Sequence, residues 1–235
     1  MVESPLLDLF KALTALNRFY SLRDLEQLLG VPFQSLWKYV NLVSVPRRST
    51  VERILRRVEE LGLVERALEI AASSAKSIEA LVSDPGFLRL FSIAVARALA
   101  RGGARVDTLI PLSVVGIPLA TALALEIGAC ICAARDHDVR LHGRDSYVAT
   151  PYVSSSRELR IVALPRNLLR PRSRAALVDA VLEDETKAVA VADLARRRGC
   201  SVVALVTIFE TPSARALAEK RGIKLVAACG KPKTC

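Results

Sequence analysis

Residues 33–48 group side chains able to read or grip a polyanion. Leu36 and Val40, four apart, must face one core, which leaves Gln34, Ser35, Trp37, Lys38 and Asn41 outward. Gln34 and Asn41 carry the paired donor and acceptor that match an adenine edge, and Lys38 can reach guanine or phosphate. Ser35 and the start of its helix can hold a phosphate. Arg47 and Arg48 follow, placed to contact a nucleic-acid backbone. Upstream, Leu22, Leu25, Leu28 and Leu29 form the inner face of another helix, Gly30 supplies a tight turn and Val31 packs beneath it. The segment SLRDLEQLLGVPFQSLWKYVNL (21–42) thus has the form of a helix-turn-helix, with double-stranded DNA as its expected partner. Glu26 stands where such motifs usually carry a small residue, which predicts looser or shifted packing of the two helices.

A second set of residues lies further along. Ser113 and Gly116 bracket a loop that can shape a small anion pocket, and Arg140, Arg144 and Arg157 lie in a polar stretch able to close over an anion. The run Glu183-Asp184-Glu185-Thr186 precedes a helix, where acids serve as N-terminal caps without any ligand. The same carboxylates oppose a phosphate, since two unit charges about 4 Å apart repel by about 4 kcal/mol at an effective dielectric of 20. A lone His137 reads as a surface residue. Cys130 and Cys132 would share one face of a strand and read as core. Five cysteines at these spacings suit neither a disulfide framework nor a zinc site. The Arg-rich composition is compatible with a thermophile, in which an intracellular disulfide is admissible.

The elements that must position these groups fall into two textures. Residues 6–19, 21–29, 33–42 and 51–61 carry helical periodicity, with a further helix and linker over 63–83. After a helix at 87–101, apolar strands alternate with helices: strands at 106–112, 129–134, 158–164, 174–178, 201–208 and 223–228, and helices at 117–127, 186–198 and 212–221. That alternation predicts a mainly parallel sheet with flanking helices. The expected domains are 1–70, helix-turn-helix; 71–83, linker; and 84–235, α/β. The apolar run 109–134 is broken by Pro111, Gly116, Pro118, Glu126 and Gly128 and is read as strand, loop, helix and strand rather than a membrane span. Glu3, Pro5 and Asp8 leave no signal peptide pattern, so a cytoplasmic location is expected. The chain has a net charge of +10, but residues 1–70 hold 10 Lys+Arg against 9 Asp+Glu, so the positive excess lies behind them.

VVGIPLATALALEIGACI (114–131) resembles the first substrate loop of type I phosphoribosyltransferases, and AALVDAVLEDETKAVAVADLARRRGCSVVALVTIF (175–209) resembles their phosphoribosyl pyrophosphate motif. With the N-terminal motif, the whole chain resembles archaeal phosphoribosyltransferase-like transcriptional regulators. The resemblance implies an α/β fold, with an N-terminal all-α helix-turn-helix domain and a type I phosphoribosyltransferase-like sheet, and a homodimer. It implies ligand contacts at Ser113, Gly116, Arg135, Asp179 and Thr186, and a catalytic loop at 139–157. The motif departs from the family at Ala180, where a second ribose-binding acid is expected, at the acidic 183–186 loop, and at Val115, where a polar residue is usual. The expected function is therefore a non-catalytic DNA-binding regulator that senses a nucleotide or other phosphate-containing ligand and needs no cofactor. The alternative is an active phosphoribosyltransferase that acts on a purine or pyrimidine base with Mg²⁺. A third reading, binding of RNA or protein, rests on the arginines at 166–174 and 196–198.

Overall fold

A computed structural model describes residues 4–136 and 147–230. The chain divides into two compact units, residues 1–94 and 95–235, and the division falls within helix α7 (Pro85–Arg101).

The first unit is helical among the described residues. Helix α1 (Pro5–Leu16) buries Leu9, Leu13 and Leu16. Ser21 starts α2 (Leu22–Leu29) through a reciprocal capping box: its hydroxyl accepts from the Asp24 N–H at 3.1 Å, and the Asp24 carboxylate accepts from the Ser21 N–H at 2.9 Å. The Ser21 hydroxyl also donates to the Asp24 carboxylate at 2.7 Å, and this bond, with that from the Ser21 N–H, holds the Asp24 carboxyl below its ordinary range. Gly30 ends α2 at φ 64°, a left-handed backbone that favours glycine. Helix α3 (Phe33–Val40) follows two residues later, and α4 (Arg48–Glu60), α5 (Leu63–Ser74) and α6 (Ile78–Val82) complete the bundle with the start of α7. Leu25, Leu36, Ile54, Val58, Leu63 and Leu68 are fully buried. Residues 71–83 carry the end of α5 and all of α6. Asp84 accepts from the Phe87 N–H at 2.8 Å at the start of α7 and pairs with Arg18 at 3.0 Å.

The position of Glu26 has a definite use. Its carboxylate accepts from the Phe33 N–H at 2.8 Å, which ties the first turn of α3 to α2. The phosphate expected at that helix start therefore meets an N–H that is already taken.

The second unit is built on a parallel sheet of β1 (Thr108–Pro111), β2 (Cys130–Ile131), β6 (Arg174–Val178), β7 (Ser201–Phe209) and β8 (Lys224–Cys229), in the order β2-β1-β6-β7-β8. Helices α8 (Gly116–Ile127), α9 (Glu185–Arg197) and α10 (Pro212–Arg221) connect the strands. β1 is buried along its whole length and β6 over Ala175–Val178, as expected of strands covered on both faces. The run 109–134 resolves into β1, α8 and β2, and no described helix is long and apolar enough to cross a membrane.

A smaller antiparallel sheet, β3-β5-β4, was not expected. It comprises β3 (Arg135–Asp136), β4 (Tyr147–Val153) and β5 (Leu159–Pro165). Tyr152, Val162 and Leu164 from it join Ala188, Val191 and Ala195 of α9 in one apolar cluster. The expectation of a loop over 139–157 is corrected for 147–157, which forms β4 and a turn; 139–146 lie outside the described residues, as does His137. β4 runs along the sheet edge, where Pro151 is tolerated, and the proline masked the strand in the sequence. The strand expected at 129–134 is shortened to 130–131. Cys130 on this edge strand is exposed, which corrects its assignment to the core, whereas Cys132, Cys200 and Cys229 are buried. Burial pushes the Cys132 thiol up to about 12, so it stays protonated inside the cluster.

Trp37 is the sole tryptophan, so its fluorescence follows the first unit. Glu26→Ala should lower that unit's stability by about 1 kcal/mol, the usual scale of a lost helix cap. Glu26→Gln keeps an acceptor oxygen and should recover most of the loss. Urea titration read at Trp37 measures both.

Candidate functional site

The strand order reverses between β1 and β6: the chain passes from β1 outward to β2, then returns to β6 on the other side. In open α/β sheets such a switch point leaves a crevice beyond the carboxyl ends of the strands, where ligands bind. Here the loop 112–115 after β1 and the loop 179–184 after β6 flank it.

Asp179 stands at the end of β6 and is only 8% exposed. One of its oxygens, Oδ1, accepts from the Ser113 hydroxyl at 2.5 Å and from the Ala180 N–H at 2.8 Å. Ser113 in turn accepts from the Gly116 N–H at 3.1 Å. Gly116 begins α8 directly against β6; a Cβ there would lie 2.8 Å from the Val178 carbonyl oxygen, so only glycine permits the approach. Among the described residues no donor engages Asp179 Oδ2. Burial raises the Asp179 pKa above the usual carboxylate value; the Ser113 and Ala180 donors and the Lys187 charge oppose the rise, and Glu183 adds to it.

The 183–186 run divides its work. Asp184 is the N-cap of α9, and its Oδ1 accepts from the N–H groups of Thr186 and Lys187 at 3.0 and 3.2 Å and from the hydroxyls of Thr186 and Ser155 at 2.5 and 3.2 Å. Burial opposes ionisation, but these donors outweigh it and hold the Asp184 pKa below the ordinary value. Glu183 is exposed. Lys187 sits in the first turn of α9 with its side chain 13% exposed and its ammonium 2.9 Å from Asp136 of β3. The loop therefore does not present three bare carboxylates: one is spent on the helix, and a cation lies beside Asp179.

The structure brings Ser113, Gly116 and Asp179 together. Thr186 is held by Asp184. Arg135, exposed on β3, lies over the Tyr147 ring at 5.7 Å and next to the Asp136–Lys187 pair. Of the outward residues in the first unit, Gln34, Trp37 and Lys38 are exposed on α3, and Ser35 is half-buried. The Asn41 side chain donates to the Trp37 carbonyl at 2.8 Å, so it closes α3. Arg47 and Arg48 are exposed at the start of α4, and Arg48 pairs with Glu52 at 2.9 Å. Sequence reasoning missed Lys187. Its signal was a lysine in a helix's first turn, where the dipole disfavours a cation.

A scan against protein-family models finds no match, and neither does a search of curated proteins. The fold does match solved structures. The adenine phosphoribosyltransferase of Saccharomyces cerevisiae, complexed with adenine and an imino-altritol bisphosphate, matches with a TM-score of 0.58 at 14% identity, over 71% of this chain and 99% of that one. The enzyme from Rhodothermus marinus matches at 0.56 and 17% identity, over 72% and 99%. That from Leishmania donovani matches at 0.57 and 15% identity, over 71% and 79%. The chain thus has the type I phosphoribosyltransferase fold. The expectation of a non-catalytic chain is corrected: the matched structures named here, which share its fold, are enzymes. The electrostatic objection behind that expectation also weakens, given the Asp184 cap and the Lys187 cation.

Gly116→Ala should destabilise the second unit by about 1–3 kcal/mol, because the methyl group meets backbone rather than a movable side chain. For Asp179 the sign runs the other way. Its folded pKa is raised, so its ionised form is disfavoured by folding, and the stability it contributes falls as pH rises from the ordinary carboxylate range through the raised value. Asp179→Asn should therefore leave the melting temperature at pH 7 unchanged or higher, as measured by calorimetry.

Proposed function

We propose that this chain transfers the phosphoribosyl group of phosphoribosyl pyrophosphate to a nitrogenous base, with a purine as the favoured class. The observation that carries the reading is Asp179: a carboxylate buried at the switch point, one oxygen fixed by Ser113 and Ala180, the other without a donor among the described residues. Oδ2 is then free to accept a ribose hydroxyl. The structural likeness to adenine phosphoribosyltransferases supports the reaction class and the purine.

In this reaction a ring nitrogen of the base attacks C1′ of the ribose. The C1′–oxygen bond to pyrophosphate breaks, pyrophosphate leaves with the electron pair, and the N–H proton of the base passes to the departing pyrophosphate. Asp179 holds the ribose so that C1′ faces the base. Gly116 lets the start of α8 lie against the end of β6, which brings Ser113 to Asp179, and Lys187 supplies positive charge beside the phosphate. The N–H groups of Thr186 and Lys187 are the natural cradle for a 5′-phosphate, and Asp184 holds both, so phosphate entry displaces that carboxylate.

The fold implies Mg²⁺. Mg²⁺ at such sites takes one or two carboxylates, with substrate oxygens and water completing its shell. Asp179 and Glu183, close enough for Glu183 to raise the Asp179 pKa, fit that requirement. When bound, the ion would neutralise charge on the pyrophosphate.

An assay with phosphoribosyl pyrophosphate, Mg²⁺ and each common purine and pyrimidine tests the proposal. Turnover with a purine, lost in Asp179→Asn, is the expected result; no turnover with any base contradicts it. Asp184→Ala should lower KM for phosphoribosyl pyrophosphate, since the competing cap is gone.

A second activity is favoured by the exposed face of α3. We propose that the first unit binds double-stranded DNA through Gln34, Trp37 and Lys38, with Arg47 on the backbone. A bidentate glutamine–adenine contact gives about 1–3 kcal/mol of base discrimination. Gln34→Ala should therefore flatten base preference in selection from random duplexes. An unchanged preference would remove Gln34 from the reading surface.

A further inference from the structure

Parallel strands place all their amino ends, and the carboxyl ends of the connecting helices, along one edge of the sheet. In the second unit that edge is the one opposite the Asp179 crevice, about 15 Å away for strands of five residues. It is strongly basic. Arg105, Arg170, Arg172, Arg196, Arg197 and Lys220 are all exposed there.

The elements that carry these residues are joined along the edge. Arg105 pairs with Asp107 at 3.2 Å, and the Arg174 N–H donates to the same Asp107 carboxylate at 3.2 Å. The Arg172 N–H donates to the Gly199 carbonyl at 2.7 Å, which seats the 170–172 loop against the end of α9. Asp193 then links Arg196 at 3.4 Å to Arg221 at 2.7 Å, at the end of α10. A cavity of about 570 Å³ lies between the two helices, lined by Arg196, Ser201, Lys220 and Arg221. From β1 to β8 the edge crosses three strand gaps of about 4.8 Å each.

Helix dipoles do not account for it. Each helix carboxyl end carries about half a negative charge, so α9 and α10 together call for about one cation. Among the described residues no ion pair engages Arg170, Arg172 or Lys220, and their charge is left for a partner, while Arg197 helps hold the Asp193 pKa down. Tyr152 lines a cavity with Arg197 and Lys220 but is buried, so among the described residues of this edge no exposed aromatic side chain offers the stacking platform that single strands use.

We propose that this edge docks the phosphate backbone of a double-stranded nucleic acid, without reading its sequence. The site shares no residue with the Asp179 crevice or with the α3 face.

The test uses the full chain with Lys38→Ala, Arg47→Ala and Arg48→Ala, which silences the first unit's DNA contacts. Into it are placed Arg170→Ala, Arg172→Ala and Arg197→Ala, all at exposed positions; matching circular dichroism melts check folding. Fluorescence anisotropy with mixed-sequence 24-base-pair DNA and RNA duplexes is followed across stepped salt. Each phosphate contact contributes about 0.9 to the slope of log affinity against log salt, so losing three should flatten it by about 2–3 and weaken binding about tenfold or more at low salt. Loss with both duplexes shows recognition of the backbone alone. Loss with only one names that duplex as the partner. Equal affinity and slope before and after the substitutions, or binding of polyglutamate with no binding of either duplex, overturns the proposal.

Discussion

A carboxylate below the surface must be held by donors or give up its charge, and the geometry of the second unit follows from how Asp179 is held. Its donors come from two loops that are distant in sequence and adjacent in space because β1 and β6 pair in register from Thr108↔Ala175 to Pro111↔Val178. Ser113 reaches Asp179 only if the start of α8 lies against the end of β6, and that contact requires Gly116. Burial still leaves the pKa raised, so the site carries a stability penalty when ionised. That is the pattern of a group retained for a ligand rather than for folding.

The parallel topology sorts charge as well as structure. Helix starts and strand ends gather at one edge, where Asp179, Asp184, Thr186 and Lys187 lie. Helix ends and strand starts gather at the other, where arginines predominate. Part of the chain's positive charge is therefore gathered at one edge of the sheet. The small antiparallel sheet adds a third constraint: by packing Tyr152 on α9 and pairing Asp136 with Lys187, it fixes the first turn of α9 beside the crevice.

Much of this was legible in the sequence where local rules act alone. The strand at 174–178 is apolar after Arg174, and α10 at 212–221 is bounded by Thr211, Pro212 and Gly222, so both are read to the residue. Asp184 as a cap was also legible, because capping is local. What failed depended on distant partners. β4 was hidden by Pro151, acceptable only because the strand lies at an edge. Cys130 was placed in the core because the edge position of β2 was not visible. Glu26 was an anomaly until its bond to the Phe33 N–H appeared. Lys187 went unnoticed because its partner, Asp136, is 51 residues away. The absence of catalysis was inferred from charges counted along the chain, whereas those charges are already apportioned in space.

The central claim is that Asp179 anchors the ribose of a phosphoribosyl substrate. Isothermal titration with phosphoribosyl pyrophosphate and Mg²⁺, on the full chain and on Asp179→Asn, tests it most directly. The account predicts binding by the native chain and at least a tenfold loss in the variant, of order 1.4 kcal/mol or more, with no loss of melting temperature. No measurable binding by the native chain, or equal affinity in the two proteins, would contradict it.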